Sequence, residues 1–270
     1  MIYSIISFFL LNIALIHYFY KLKNNQTPKN PILLKFSMLM GSLLSLWAIG
    51  TLFTEPTSIL NTVVMTLLAL LVLFTSATFT FFLATKATPI GDINVSVGDQ
   101  FLPFKVANFD SSMLVGKRTL LKFYRGSWCP YCSAELVMFE ALKPKLAEFD
   151  VQIIGISNDN SDQQKKHVVR DNISHILVSD PDLAIIRQYG VEHHKALGAT
   201  DNDTINMFGI AMPLPWKMKY KSMSIPTSIL IDESGNIVWI DQSEDYRLRA
   251  SEEAVMTAVT AHFDNKTLCD

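Results

Sequence analysis

The sequence is poor in cysteine, with three in 270 residues, at positions 129, 132 and 269. That excludes a small secreted scaffold stapled by disulfides, which needs more cysteines spread along a shorter chain. It is also poor in charge at its front: residues 1–88 hold lysines at 21, 23, 29, 35 and 86 and a single acid, Glu55. Clustered Lys and Arg are missing as well, and the segment beyond residue 88 is net acidic, so nucleic acid is excluded as a partner; releasing counterions from phosphates takes a basic patch. No repeat or low-complexity tract occurs.

Apolar sequence fills the charge-poor front. The chain is 49% hydrophobic with a mean hydropathy of +0.24. Residues 2–20 run without charge and close on Tyr18, Phe19, Tyr20 and Lys21, the aromatic and cationic pattern of a membrane interface. Two further apolar spans, 36–54 and 58–85, are separated by the break at Glu55-Pro56. The expectation is a membrane anchor over 1–86 made of three transmembrane helices. A cleaved signal peptide is the competing reading, but no positive region precedes Ile2 and no small-residue cleavage site follows. Four lysines between the first two spans point that loop to the cytoplasm of a bacterial-type inner membrane, so the soluble part is expected there too, with a periplasmic domain as the alternative. The spans carry no cysteine or carboxylate, and His17 sits close to an interface, so this part reads as an anchor.

Pro89, Gly91 and Gly98 suggest a linker over 87–96, followed by a domain over 97–265 and a tail over 266–270. Thr119–Tyr124 reads as a strand running into a helix over Cys129–Phe149, with Leu136, Phe139, Leu142, Leu146 and Phe149 at helical spacing. Val151–Ser157 and Ile176–Ser179 read as strands, and Gln163–Arg170 and Pro181–Tyr189 as helices. A hairpin follows, Thr227–Asp232 and Ile237–Asp241 around Glu233-Ser234-Gly235-Asn236, then a helix from the N-cap Ser251 to His262. Together these predict an α/β thioredoxin-like fold, a mixed central sheet flanked by helices, preceded by three transmembrane helices. Residues 191–223 do not fit that layout and read as an insertion.

Cys129-Pro130-Tyr131-Cys132 is the chemical motif. A Cys-x-x-Cys is a zinc half-site, a disulfide or a redox pair, and no second cysteine pair exists to complete a zinc site. Pro130 suits the first helical position, which puts the Cys129 sulfur at the helix N-terminus, where free N–H groups favour thiolate; Cys132, one turn on, is placed to resolve a mixed disulfide. Arg125, and alternatively Lys122, add positive potential, and Trp128 and Tyr131 shield the pair and shape a docking surface.

The segments Phe123-Tyr-Arg-Gly-Ser-Trp-Cys-Pro-Tyr-Cys132, Ser179-Asp-Pro-Asp-Leu, Tyr189-Gly-Val and Ile225-Pro-Thr-Ser-Ile-Leu-Ile-Asp232 with Gly235 resemble the alkyl hydroperoxide reductase/thiol-specific antioxidant family over roughly 97–260. The resemblance implies that Pro226 is a cis-proline facing the cysteines, with Ile225 and Thr227 beside it and Pro130 in the motif as docking residues. The family's peroxidases carry Pro-x-x-x-Thr/Ser-x-x-Cys before the peroxide-reacting cysteine; counted from Cys129, those positions are Lys122 and Gly126, a departure from the pattern. Thioredoxin's buried acid is absent as well, which leaves Glu135, a neighbouring acid or water to take a proton from Cys132.

The leading expectation is a membrane-anchored thiol-disulfide oxidoreductase with Cys129 as nucleophile and Cys132 as resolver. The alternative is a peroxiredoxin-like peroxidase, and a non-catalytic redox-sensing binding module is third. No metal and no cofactor beyond the redox-active Cys129–Cys132 disulfide is expected. The expected partners are a disulfide-bearing protein or a small thiol or hydroperoxide, a separate thiol reductant and the lipid bilayer. Among secondary signals, His193-His194 and the scattered methionines suit packing and surface roles better than metal binding. The run Pro213–Lys221 alternates cationic and apolar residues and suits a lid, a surface loop or a membrane-facing segment. Cys269 reads as a tail thiol or a resolving cysteine for another subunit.

Overall fold

The computed structural model describes residues 2–54, 58–89, 93–107, 109–207 and 209–264. The Glu55-Pro56 break, Gly91, the tail over 266–270 and Cys269 lie outside the described residues. The chain divides into two compact units, residues 1–22 with 26–86 and residues 23–25 with 87–270.

The first unit holds α1 (Ile2–Lys23), α2 (Ile32–Thr51) and α3 (Ile59–Ala84), each long and apolar enough to cross a membrane. The second begins four residues earlier than the hydropathy suggests, because Pro31 opens it with a preset backbone and draws Lys35 into its first turn. Small side chains line the contacts between these helices. Ser45 Oγ donates to Ser7 Oγ at 3.1 Å, and a Cβ on Gly41 would lie 3.4 Å from Val72 Cγ1 and 3.6 Å from the Ser7 carbonyl. Where lipid tails are as apolar as leucine, such close approach and polar contact are what hold helices together.

In the second unit β1 (Lys105–Val106) and β2 (Phe109–Asp110) pair antiparallel ahead of β3 (Arg118–Phe123). There follow α4 (Pro130–Ala147), β4 (Val151–Ser157), α5 (Ser161–Asp171), β5 (Ile176–Ser179) and the short α6 (Ala184–Gln188). Next come β6 (Glu192–Gly198), β7 (Thr204–Met207), β8 (Ile210–Pro213) and β9 (Lys219–Ser224), then β10 (Thr227–Ile231), β11 (Ile237–Gln242) and α7 (Glu252–Phe263). The central sheet has the order β11-β10-β3-β4-β5; β3, β4 and β5 run parallel, and β10 and β11 run antiparallel to their neighbours. This is the mixed sheet with flanking helices of the thioredoxin-like fold.

Alternation along β3 sorts its side chains between two cores. Leu120 joins Leu136, Phe139, Leu142 and Leu146 of α4 and Val255, Val259 and Phe263 of α7. Leu121 and Phe123 join Ile185, Ile186 and Tyr189 on the opposite face. Burying each such side chain contributes about 1.5–3 kcal/mol, so both faces hold β3, and the chain leaving it is delivered to the start of α4.

Two local expectations need correction, and a third, the insertion, gains its internal structure. The helix set to begin at Pro181 begins at Ala184, because the Asp180 carboxylate accepts from the N–H groups of Ala184 (2.8 Å) and Ile186 (2.9 Å) and the intervening residues form a turn. Residues assigned to a linker over 87–96 are tied to the domain: Ala87 bridges Asp245, Thr88 N–H donates to the Glu244 carbonyl at 3.0 Å, and Val95 is buried. The segment 191–223 is a built arm outside the central sheet, in which β6 pairs with β9 and β7 with β8, all antiparallel.

Candidate active site

Cys129 caps α4 with Pro130 as its first residue, so the cysteines stand at the strand-to-helix join. The loop reaching them needs glycine at 126, where φ is +132° and a Cβ would lie 2.8 Å from Asp159 Oδ1 and 3.0 Å from Trp128 Nε1. Asp159 fastens the same loop, its Oδ2 accepting from the Ser127 N–H at 2.7 Å and the Ser157 hydroxyl at 3.2 Å. Burial pushes the Asp159 carboxyl up, against the charge of His167 and these hydrogen bonds.

Both thiols are out of water: Cys129 is 1% exposed and Cys132 0%. The polar contacts converge on Cys132. Its Sγ accepts from the Arg125 N–H at 3.4 Å and from Arg249 Nη2 at 3.3 Å. Burial alone would push the Cys132 thiol up; the hydrogen bond from Cys129, the Arg249 guanidinium and the Arg125 N–H outweigh it and hold the group well below its ordinary value. Cys129 moves the other way, pushed well up by burial and by its hydrogen bond to Cys132. The helix start therefore brings both sulfurs together, and the polar contacts fall on the second of them, Cys132, not on Cys129.

Behind Cys132 lies a set of buried ions. Alternation puts Lys122 on the same face of β3 as Leu120 and Tyr124, and its Nζ lies 2.7 Å from Glu135 Oε1 and 3.1 Å from the Ser228 hydroxyl. Glu135 Oε2 is 2.8 Å from Arg249 Nε, the guanidinium that also reaches Cys132. Side-chain exposures are 1% for Lys122, 0% for Glu135 and 1% for Arg249. Burial pushes the Glu135 carboxyl up, and the two cations oppose it. Arg249 is pushed up despite its own burial, by the charges of Cys132 and Glu135.

The Arg125 guanidinium makes its hydrogen bonds away from the two cysteine sulfurs. That group lies over the rings of Trp128 (5.0 Å) and Tyr246 (4.3 Å), donates to the Leu197 carbonyl at 2.6 Å and reaches Met223 Sδ at 3.2 Å. It thus ties the cysteine loop to β6 and β9 of the arm, while Lys221 Nζ donates to the Ala199 carbonyl at 2.6 Å and lies 5.7 Å from the Trp128 ring. In the run 213–221, Trp216 and Tyr220 are exposed. His193 pairs with Met223 across the arm, and burial and the Arg125 charge hold it at about 4.

The docking residues expected from the sequence are mostly covered. Trp128, Pro130, Ile225 and Thr227 are buried, and Tyr131 alone of the five retains exposure, with its ring edge-on to Tyr246 at 6.0 Å. Pro226 is not cis, for no cis peptide bond occurs among the described residues. The chain here runs extended from β9 into β10, with Ile225 N–H donating to the Val191 carbonyl at 2.7 Å and the Pro226 carbonyl accepting from Ser243 N–H at 3.0 Å. The ordinary trans preference of an X-Pro bond suits that path.

Residues 97–240 match the AhpC/TSA family pattern. A Coxiella burnetii protein named "Putative peroxiredoxin bcp" is 29% identical over 154 residues, 54% of this chain and 89% of that one. Peroxiredoxin Bcp of Escherichia coli K12 is 23% identical over 113 residues, 42% of this chain and 72% of the relative. Among solved structures, peroxidoxin BcpB of Mycobacterium tuberculosis has a TM-score of 0.47 at 21% identity, covering 62% of this chain and 98% of that one. With the sheet order, the cysteine pair at the start of α4 and a family match over more than half its length, the chain belongs to the AhpC/TSA family and is an oxidoreductase.

Proposed function

We propose that the chain is a membrane-anchored thiol peroxidase in which Cys132 is the peroxide-reacting sulfur and Cys129 condenses with it. The observation that carries this reading is the convergence of Arg249 Nη2 and the Arg125 N–H on Cys132 Sγ. A thiolate, not a thiol, attacks peroxide, and these donors favour the charged form at Cys132. The family's peroxidase motif, counted back from Cys132, falls on Arg125 and Cys129, so a thiol stands where the motif has a hydroxyl.

The Cys132 thiolate attacks the terminal oxygen of a hydroperoxide. The O–O bond breaks, the departing alkoxide takes a proton and leaves as alcohol or water, and Cys132 becomes a sulfenic acid. Cys129 sulfur then attacks Cys132 sulfur and gives up its proton, the hydroxide leaves as water, and a disulfide remains. Two electrons from an external thiol reductant restore the pair by exchange. Disulfide exchange is thus the second half of the cycle. Burial of both sulfurs favours a small hydroperoxide over a protein disulfide as the first substrate, because it requires the smaller opening.

Stopped-flow oxidation of the full-length protein in detergent tests the roles. Cys129→Ser should retain fast oxidation and accumulate a dimedone-reactive sulfenic acid at Cys132, while Cys132→Ser should react no faster than a free thiol. Fast oxidation of Cys132→Ser would reverse the assignment, and slow oxidation of the unaltered protein would remove the peroxidase reading. Lys21 and Lys23 at the end of α1, Lys29 in the loop that follows and Lys35 in the first turn of α2 support a cytoplasmic domain in a bacterial-type inner membrane. An impermeant maleimide should then miss a cysteine introduced at Asn25 in intact cells; labelling there would place the domain outside.

A further inference from the structure

Lys122 touches neither sulfur, yet it belongs to the same buried charge set. Lys122 and Arg249 bracket Glu135 at 2.7 and 2.8 Å, and Arg249 continues to Cys132 at 3.3 Å. Two cations and one carboxylate leave one positive charge over, in a place no water reaches. A Cys132 thiolate cancels it. When the pair is oxidised, neither sulfur carries charge and the surplus cation has no partner, which costs free energy in a low-dielectric interior. Arg125, stacked on Trp128 and Tyr246, adds to the same imbalance.

We propose that Lys122 is a positioning residue for the redox poise of the pair: with Arg249 it makes the reduced, thiolate form the charge-balanced state and keeps the Cys129–Cys132 disulfide easily reduced. The inference rests on reading Cys129 and Cys132 as the redox pair, but not on peroxide being the oxidant. Reduction takes two electrons and one proton; the S–S bond breaks, the proton goes to Cys129, and Cys132 remains a thiolate. The electrons come from a thiol donor such as glutathione, two of which become one disulfide. The same logic makes a dithiol–disulfide couple oxidising wherever its reduced form is selectively stabilised.

The test is the equilibrium constant of the pair against glutathione buffers, measured on full-length protein in detergent in a Cys269→Ser background so that only the pair titrates. Lys122→Met leaves Glu135 and Arg249 matched without the thiolate. It should shift the equilibrium at least tenfold toward the disulfide, ~30 mV lower for a two-electron couple. Glu135→Gln enlarges the surplus and should shift it the opposite way. The double variant removes one charge of each sign and should return toward the unaltered value. Thiolate absorbance at 240 nm, followed against pH, should move in parallel, with Cys132 titrating higher in Lys122→Met and recovering in the double variant. A purely structural role would move both single variants in one direction and give no recovery. Either that pattern or shifts below about twofold would overturn the proposal. If Lys122→Met does not fold, Glu135→Gln decides: an unchanged or lowered potential overturns it. Peroxide turnover enters none of these readouts, so failure of the peroxidase reading is seen separately.

Discussion

Arg249 stands 117 residues after Cys132 in the chain and brings Nη2 to 3.3 Å from its sulfur. The contact joins the loop between β11 and α7 to the first turn of α4, and Glu135, one turn beyond Cys132, fixes the angle by holding Nε of the same guanidinium at 2.8 Å. An arginine so fixed offers the sulfur a charge that needs no rearrangement when thiolate forms.

Replacing Arg249 with Met should therefore slow peroxide oxidation of Cys132 by at least tenfold and raise the pH at which thiolate absorbance appears. Because the change also leaves Glu135 with one cation, a stability loss of about 3–5 kcal/mol is expected from breaking a buried pair. Oxidation rates taken above the shifted titration separate the two effects: recovery there marks lost thiolate, and continued slowness marks lost stabilisation of the leaving oxygen. Unchanged rates at neutral pH would remove Arg249 from the chemistry.

What could be read from the sequence follows the range of the interactions. The join of strand and helix at Cys129-Pro130 rests on neighbours in the chain, and so does the Ser251 N-cap, whose hydroxyl accepts from Ala254 N–H at 3.1 Å. Arg249 carries no spacing signal, because only the return of the chain after β11 brings it to Cys132. Sequence favours Arg125 over Lys122 as the cation beside the sulfur, but alternation along a strand does not by itself say which side chain faces the cysteines; the pairing of Lys122 with Ser228 across β3 and β10 shows which way it faces. The arm over 191–223 escaped assignment because β6 and β9 pair at long range, Leu197 opposite Tyr220, with a register shift between His193 and Ala196. Covered docking residues have the same origin, for nothing local to Trp128 records that an arm lies over it.

Glu140 should impose a measurable acid limit. Burial would raise its carboxyl, but it accepts from Ser174 N–H (2.7 Å), Ser174 Oγ (2.6 Å), His175 N–H (2.9 Å) and His175 Nδ1 (2.5 Å), and these hold it at about 2. The folded value lies below the ~4.3 of an unfolded glutamate, so the stabilisation is complete above about pH 5 and is lost as pH falls toward 2. Thermal unfolding from pH 7 to 2 should show Glu140→Gln less stable at neutrality and flatter over the acid range. A profile parallel to that of the unaltered protein would refute this role.

Arg125 should govern access to the pair. Its guanidinium holds the Leu197 carbonyl on β6 at 2.6 Å and Met223 on β9 at 3.2 Å while lying over Trp128 and Tyr246, so the arm closes on two sulfurs that are 0–1% exposed. Replacing it with Ala removes this latch and also some positive potential near Cys132. The second effect slows every electrophile alike, because it acts on the amount of thiolate. The first favours large reagents over small ones. The ratio of the rate with a bulky aromatic disulfide to the rate with methyl methanethiosulfonate cancels the common factor. That ratio should rise several-fold in Arg125→Ala if the arm must swing away for large partners. A constant ratio, with both rates reduced, would mean that Arg125 acts on the thiolate alone and that access is controlled elsewhere in the arm.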